Sequence, residues 1–140
     1  MIAAAAAALS LGAVPPSQDV SVTVTGVRNA RGTVTACLTA LPSAFPNCKA
    51  DPAARRLIVP AAAGAVLLDF GQLAPGRYAV SLIHDENANG RLDTVLLIPR
   101  EGYGFSRDAR VRLGPPRFDS AAFEVDSHPA HLTVKMRYLF

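Results

Sequence analysis

The chain has 140 residues, 50% of them hydrophobic, and 14 lysines and arginines against 11 carboxylates give a net charge of +3. That length sustains a single hydrophobic core and one domain rather than two. The basic residues are scattered and the few aromatics do not interleave with them, which excludes a nucleic-acid patch or a base-stacking platform.

The N-terminus opens with Met1, Ile2 and six alanines, then Leu9, Leu11 and Val14 ahead of Pro15 and Pro16. An apolar run that ends in small residues reads as the remnant of a secretory signal over 1–16. At about a dozen apolar residues it is too short to cross a bilayer. The mature chain is therefore expected to have no transmembrane span and to be periplasmic or secreted. Cys37 and Cys48 are the only thiols, and an even pair in an exported chain reads as a disulfide. Closing so short a loop stabilises a fold by about 3 kcal/mol in the chain-entropy model. No histidine or further cysteine lies nearby in sequence, which argues against zinc.

From residue 19 onward the pattern is short period-two segments broken by turn residues, the signature of an all-β domain. In 19–27, valines alternate with hydroxyl residues, so one face is buried and the other wet. Segment 32–39 repeats the pattern after a turn at 29–32, making a first hairpin. Beyond the cysteine loop, 56–60 and 65–70 are strand candidates, the first an edge strand because of Pro60. Segment 77–83 follows the Pro75-Gly76 turn, and 94–98 is a further candidate. From 99 to 119 the chain is rich in glycine, proline and arginine and reads as a long functional loop holding one short strand at 109–113. In the last strand, 130–139, Leu132, Val134, Met136 and Tyr138 share one face against Thr133, Lys135 and Arg137. Seven to eight mostly antiparallel strands at this spacing predict a single-domain β-sandwich over 19–140, immunoglobulin-like or transthyretin-like.

Between two of these strands lies His84-Asp85-Glu86-Asn87-Ala88-Asn89-Gly90-Arg91-Leu92-Asp93. Oxygen-bearing side chains at alternate positions around a glycine match the start of a calcium loop, because Ca²⁺ takes several hard oxygens at once. Asp85, Asn87, Asn89 and Asp93 can converge if the backbone curls around Gly90, with the Arg91 carbonyl adding an oxygen. The closing position is Leu96 rather than a glutamate, so Glu101 is assigned to close the site, with Glu86 the poorer choice. The flanks are strands, which excludes a helix-loop-helix sensor. The same residues also form a metal-free turn, since Asn, Asp and Gly satisfy tight turns through side-chain-to-backbone bonds.

The loop is followed by Pro99-Arg100-Glu101-Gly102-Tyr103-Gly104-Phe105-Ser106 and by Gly114-Pro115-Pro116-Arg117-Phe118-Asp119-Ser120-Ala121-Ala122-Phe123. In that order the three segments resemble the bacterial exported family known as domain of unknown function 2141, over most of the chain after about residue 19. The resemblance implies a secreted or periplasmic β-sandwich. It implies no activity, because none is established for the family. The chain departs from the family pattern in the threonine, valine and leucine after the loop.

Two functions follow from these residues. The first is an exported envelope module, binding or structural, with a loop end that takes Ca²⁺ or mimics such a site and an envelope carbohydrate or protein as partner. His84, Tyr103 and Phe105 are the candidate ligand contacts, with Tyr103 and Phe105 reading more readily as plugs for the end of the sandwich. The second is a hydrolase using His84, Asp85 and Glu101. The enzyme reading is the weaker one, because no G-x-S-x-G elbow is present and adjacent strand residues such as His84 and Asp85 point to opposite faces.

Overall fold

The computed structural model describes residues 3–4, 15–90, 94–95, 98–99 and 101–140. Most of the expected signal remnant thus lies outside the described residues. The strands in chain order are β1 (Gln18–Val27), β2 (Thr33–Thr39), β3 (Arg55–Pro60), β4 (Gly64–Leu73) and β5 (Gly76–Asp85). They continue with β6 (Thr94–Val95), β7 (Ile98–Pro99), β8 (Gly102–Phe105), β9 (Phe123–Val125) and β10 (Ala130–Lys135). A single helical turn, α1 (Phe118–Ala121), precedes β9.

Valine alternation builds the first sheet. Val20, Val22 and Val24 are fully buried on one face of β1 while Ser21, Thr23 and Thr25 are only half-buried on the other, the period-two pattern of a strand. β1 pairs antiparallel with β4 and parallel with β10, giving the order β10-β1-β4. The second sheet has the order β3-β2-β5-β8, with β9 pairing the first residues of β5 ahead of β8. β6 and β7 form a separate two-stranded pair. The expected all-β sandwich is therefore present, and the β1–β10 pairing is its parallel element.

The main core lies between the sheets and joins Val22 and Val24 to Val34, Leu38, Leu68, Phe70, Val80, Leu82, Val134 and Met136. Burying one such side chain fully contributes about 1.5–3 kcal/mol. A second cluster covers the opposite face of the second sheet, where Ala79, Tyr103, Phe105, Phe118, Ala121 and Ala122 pack together. Phe45 closes it edge-on to Phe105 and Phe118, at centroid separations of 5.8 and 6.2 Å, a favourable aromatic arrangement. The expected Cys37–Cys48 disulfide is formed, with Cα atoms 6.3 Å apart. It carries the 42–50 loop, which holds Phe45, toward the second sheet. Thr39 Oγ1 donating to Asp51 Oδ2 at 2.6 Å and Arg56 donating to the Cys48 carbonyl at 2.8 Å fix the loop further.

Three sequence expectations are corrected. Segment 94–98 is not one strand: Thr94 pairs with Pro99 and Val95 with Ile98. Segment 109–113 alternates half-buried Ala109 and Val111 with exposed Arg110 and Arg112, ends on exposed Leu113, and joins no sheet among the described residues. The expected loop over 99–119 contains β8, whose four residues are all buried. β8 lacks an alternating hydrophobic pattern because Gly102 and Gly104 face the sandwich interior, where the chain following β10 crosses closely. A Cβ at Gly104 would lie 2.8 Å from Leu82 Cδ1, 2.9 Å from Val134 Cγ1 and 3.1 Å from the Lys135 carbonyl. We expect Gly104→Ala to cost about 1–3 kcal/mol by overpacking, read from the urea midpoint.

Candidate functional site

β5 carries the site residues to one end of the sandwich. Its register pairs Thr33 with Asp85 on one side and His84 with Gly102 on the other. His84 follows the inward face of Val80 and Leu82 and is fully buried. Its Nε2 lies 2.7 Å from the Arg31 carbonyl and its Nδ1 2.7 Å from the Tyr138 hydroxyl. A carbonyl only accepts, so the proton sits on Nε2 and Nδ1 accepts from Tyr138. The Tyr138 oxygen in turn accepts the Arg28 backbone N–H at 3.1 Å. Burial pushes the Tyr138 phenol above its ordinary value, an effect opposed by that hydrogen bond and by the Arg28 charge.

Arg28 gathers the neighbouring elements. Its guanidinium lies 4.3 Å above the Tyr138 ring, a cation–π position, and bonds the Phe140 carbonyl and Glu86 Oε1. Asn29 donates to the other Glu86 oxygen at 3.0 Å. Burial would raise the Glu86 carboxyl, but the Asn29 and Arg28 hydrogen bonds and the Arg28 charge outweigh it and hold the carboxyl below its ordinary value. Glu86 is therefore turned toward Arg28 rather than toward the loop. Gly32 completes the junction. It sits at φ +67°, where L side chains are strained, and a Cβ there would lie 1.9 Å from the Asp85 carbonyl oxygen.

Asp85 organises the loop itself. Its Oδ1 accepts the Asn89 N–H at 3.2 Å and its Oδ2 the Gly90 N–H at 2.7 Å. Asn87 Oδ1 shares the Asn89 N–H at 3.3 Å. These are Asx-type turn bonds, and Gly90 takes the positive φ of +75° that the curl requires. Glu101 precedes the first residue of β8. Glu101 and Asp85 each adjoin the His84–Gly102 pair in sequence, and both are buried, at 5% and 3% exposure. Asn87 and Asn89 are exposed on the loop. Arg91 and Asp93 lie outside the described residues. Among the described residues, no three His, Cys, Asp or Glu side chains converge as a metal-ligating group.

The other sequence candidates separate. Tyr103 and Phe105 do not stand on a flexible loop: they are each 8% exposed in the second aromatic cluster, which leaves them little surface for a ligand. Ser106 is fully buried, accepting the Val80 N–H at 2.9 Å and donating to the Ala121 carbonyl. Val80 and His84 are four strand residues apart, about 13 Å, so this buried hydroxyl lies away from His84. Arg28, the Arg31 carbonyl and Tyr138 escaped the sequence reading. Tyr138 alone carried a signal, since it continues the buried face of Val134 and Met136.

The model of the family described as an uncharacterised protein conserved in bacteria (DUF2141) matches residues 22–133. The chain belongs to this family. No curated protein and no solved structure matches it. The DUF2141 match spans β1 to β10, so the His84–Asp85 end, Glu101 and the disulfide all lie inside the family region.

A group held below its ordinary pKa by folding stabilises the fold above that value and loses this contribution as pH falls through the folded value. Glu86 therefore supports the fold above its ordinary 4.5 and ceases to do so in more acidic solution. We expect Glu86→Gln to be less stable than the wild type at neutral pH, with the gap in urea midpoints closing as pH drops below that range. A gap independent of pH would contradict the assignment.

Proposed function

We propose that this DUF2141 chain is an exported, periplasmic or secreted β-sandwich module without a catalytic role, whose 85–101 end is a structural clip for a hard cation such as Ca²⁺. The observation that supports the reading is that Asp85, the last residue of β5, and Glu101, directly before β8, are both buried at the end where these two strands pair. Two shielded carboxylates at neighbouring strand ends repel if close, unless hydrogen bonds, a shared proton or a cation compensate them. An ionised carboxylate has about four acceptor positions, so Asp85 can hold the Asn89 and Gly90 amides and still ligate an ion. Asn87 and Asn89 stand on the same loop, and the Arg91 carbonyl and Asp93 join the proposed set on sequence spacing alone.

The geometry does not favour the hydrolase. His84 is fully buried with both ring nitrogens committed to Arg31 and Tyr138, so it braces the loop and is not placed to shuttle a proton for a substrate. Export is supported by the Cys37–Cys48 disulfide, because such bonds persist in oxidising compartments. No helix among the described residues is long and apolar enough to cross a membrane.

Extracellular calcium modules bind at about 0.1–1 mM, so about 1 mM calcium should stabilise the fold by about 0.4–1.4 kcal/mol. Thermal unfolding is to be followed across a calcium titration and after chelation. The wild-type midpoint should rise with calcium, and Asp85→Asn combined with Glu101→Gln should remove the response. A wild-type midpoint indifferent to several times that concentration eliminates the clip. Export has its own test: osmotic shock should release the chain with the cysteines oxidised, and a cytosolic, reduced pool would refute it.

A further inference from the structure

At the opposite end of β5 from the calcium-loop-like segment, the chain between β8 and α1 leaves an exposed basic groove. Residues 107–117 hold Arg107, Arg110, Arg112 and Arg117 against one carboxylate, Asp108. Asp108 is turned to the Lys135 backbone N–H at 2.9 Å. The next carboxylate, Asp119, is held by Arg77 at 2.8 Å. Among the described residues, the guanidinium groups of Arg110, Arg112 and Arg117 form no ion pair and are exposed. Arg110, Arg112, Pro115, Pro116 and Arg117 line a groove of about 660 Å³. It continues across the proline ridge into a second hollow of about 430 Å³ floored by Phe45, Pro46 and Phe118.

The backbone enters this groove extended at Ala109. Ala109 has φ −55° and ψ 134°, and Ala109 and Val111 turn inward onto the second aromatic cluster while Arg110 and Arg112 turn outward. No strand among the described residues pairs with this segment. Two consecutive left-handed residues, Arg107 and Asp108, turn the chain into it. Alternate residues of extended chain are about 6.8 Å apart on one face, so Arg110 and Arg112 match carboxylates at alternate positions of a second extended chain. The Ala109 and Arg112 N–H groups donate to the Ser106 and Gly114 carbonyls at 3.3 Å each, which leaves the N–H and C=O of Arg110 as the open backbone pair among the described residues. An open backbone pair selects a polypeptide over other polyanions, because main-chain hydrogen bonds supply part of the affinity. Guanidinium–carboxylate pairs then select its sequence.

We propose that this groove docks an extended acidic polypeptide segment of a partner protein, which pairs with the backbone of Arg110 and sets alternate carboxylates against Arg110 and Arg112, with Arg117 on the far side of the groove. The site is separate from the proposed cation clip and does not depend on it.

The test measures fluorescence anisotropy of a short labelled peptide alternating Glu and Thr, titrated with the full chain. Binding should weaken with salt. Arg110→Ala and Arg112→Ala should each weaken it about tenfold, the scale of one charged hydrogen bond, and Arg110→Glu with Arg112→Glu should abolish it. Both positions are exposed, so the thermal midpoint should stay unchanged and serves as the folding control. A peptide N-methylated at alternate amides on its pairing edge should lose affinity at equal charge. The proposal is overturned if the Glu-Thr peptide does not bind, if charge reversal leaves binding intact, or if N-methylation has no effect. It is equally overturned if polygalacturonate competes as well as the peptide at matched charge, since the groove would then be a site for polyanions in general.

Discussion

The antiparallel register of β8 on β5 is the constraint that sets the rest of this molecule. Four residue pairs, from Ser81–Phe105 to His84–Gly102, align a strand that is apolar on both faces with the most buried part of β5. The pairing works because the inward positions of β8 are glycines. With no Cβ at Gly102 or Gly104, Met136 and Tyr138 can pass directly over the strand, and a second contact forms where Tyr103 and Arg137 exchange backbone hydrogen bonds. The first sheet, through the chain after β10, is thereby closed against the second.

Both ends of the sandwich follow from that closure. At one end, Tyr138 is brought to His84 and Arg28, and Glu101 is buried just ahead of β8. At the other, Tyr103 and Phe105 are pushed outward and need cover, which comes from Phe45 on the disulfide-bridged loop and Phe118 on α1. One strand thus supplies a polar junction, a carboxylate and an aromatic cluster. Arg28 contributes at the junction by satisfying Glu86, a C-terminal carbonyl and the face of Tyr138 at once. A burial that would be costly for Glu86 alone becomes a stabilising link between the β1–β2 turn and the start of the loop.

Much of this was legible in the sequence, for a physical reason. β1 and β10 each have one buried and one wet face, and period-two alternation records that difference directly in Val20, Val22 and Val24 or in Val134 and Met136. The cysteine pair was legible because two thiols allow one intramolecular partner choice. β8 was not, because a strand covered on both faces writes glycine and aromatic residues where alternation would be sought. Segment 109–113 shows the converse: alternation reported its in-and-out geometry correctly, but a local pattern cannot say whether a pairing partner exists. The Asp85 loop was recognised as a turn around Gly90, whereas its support was not, because Tyr138 lies 54 residues from His84 and Arg28 lies 58 from Glu86. Local spacing holds no record of such contacts.

The central claim is that the β5–β8 register makes Asp85 and Glu101 into a cation clip. A crystal structure grown with several millimolar calcium tests it most directly. The account predicts one ion between the strands, with oxygens of Asp85 and Glu101 at about 2.3–2.6 Å and further loop oxygens completing its shell. Asp85 and Glu101 oxygens turned to different surroundings, with no ion bound between them, would contradict it.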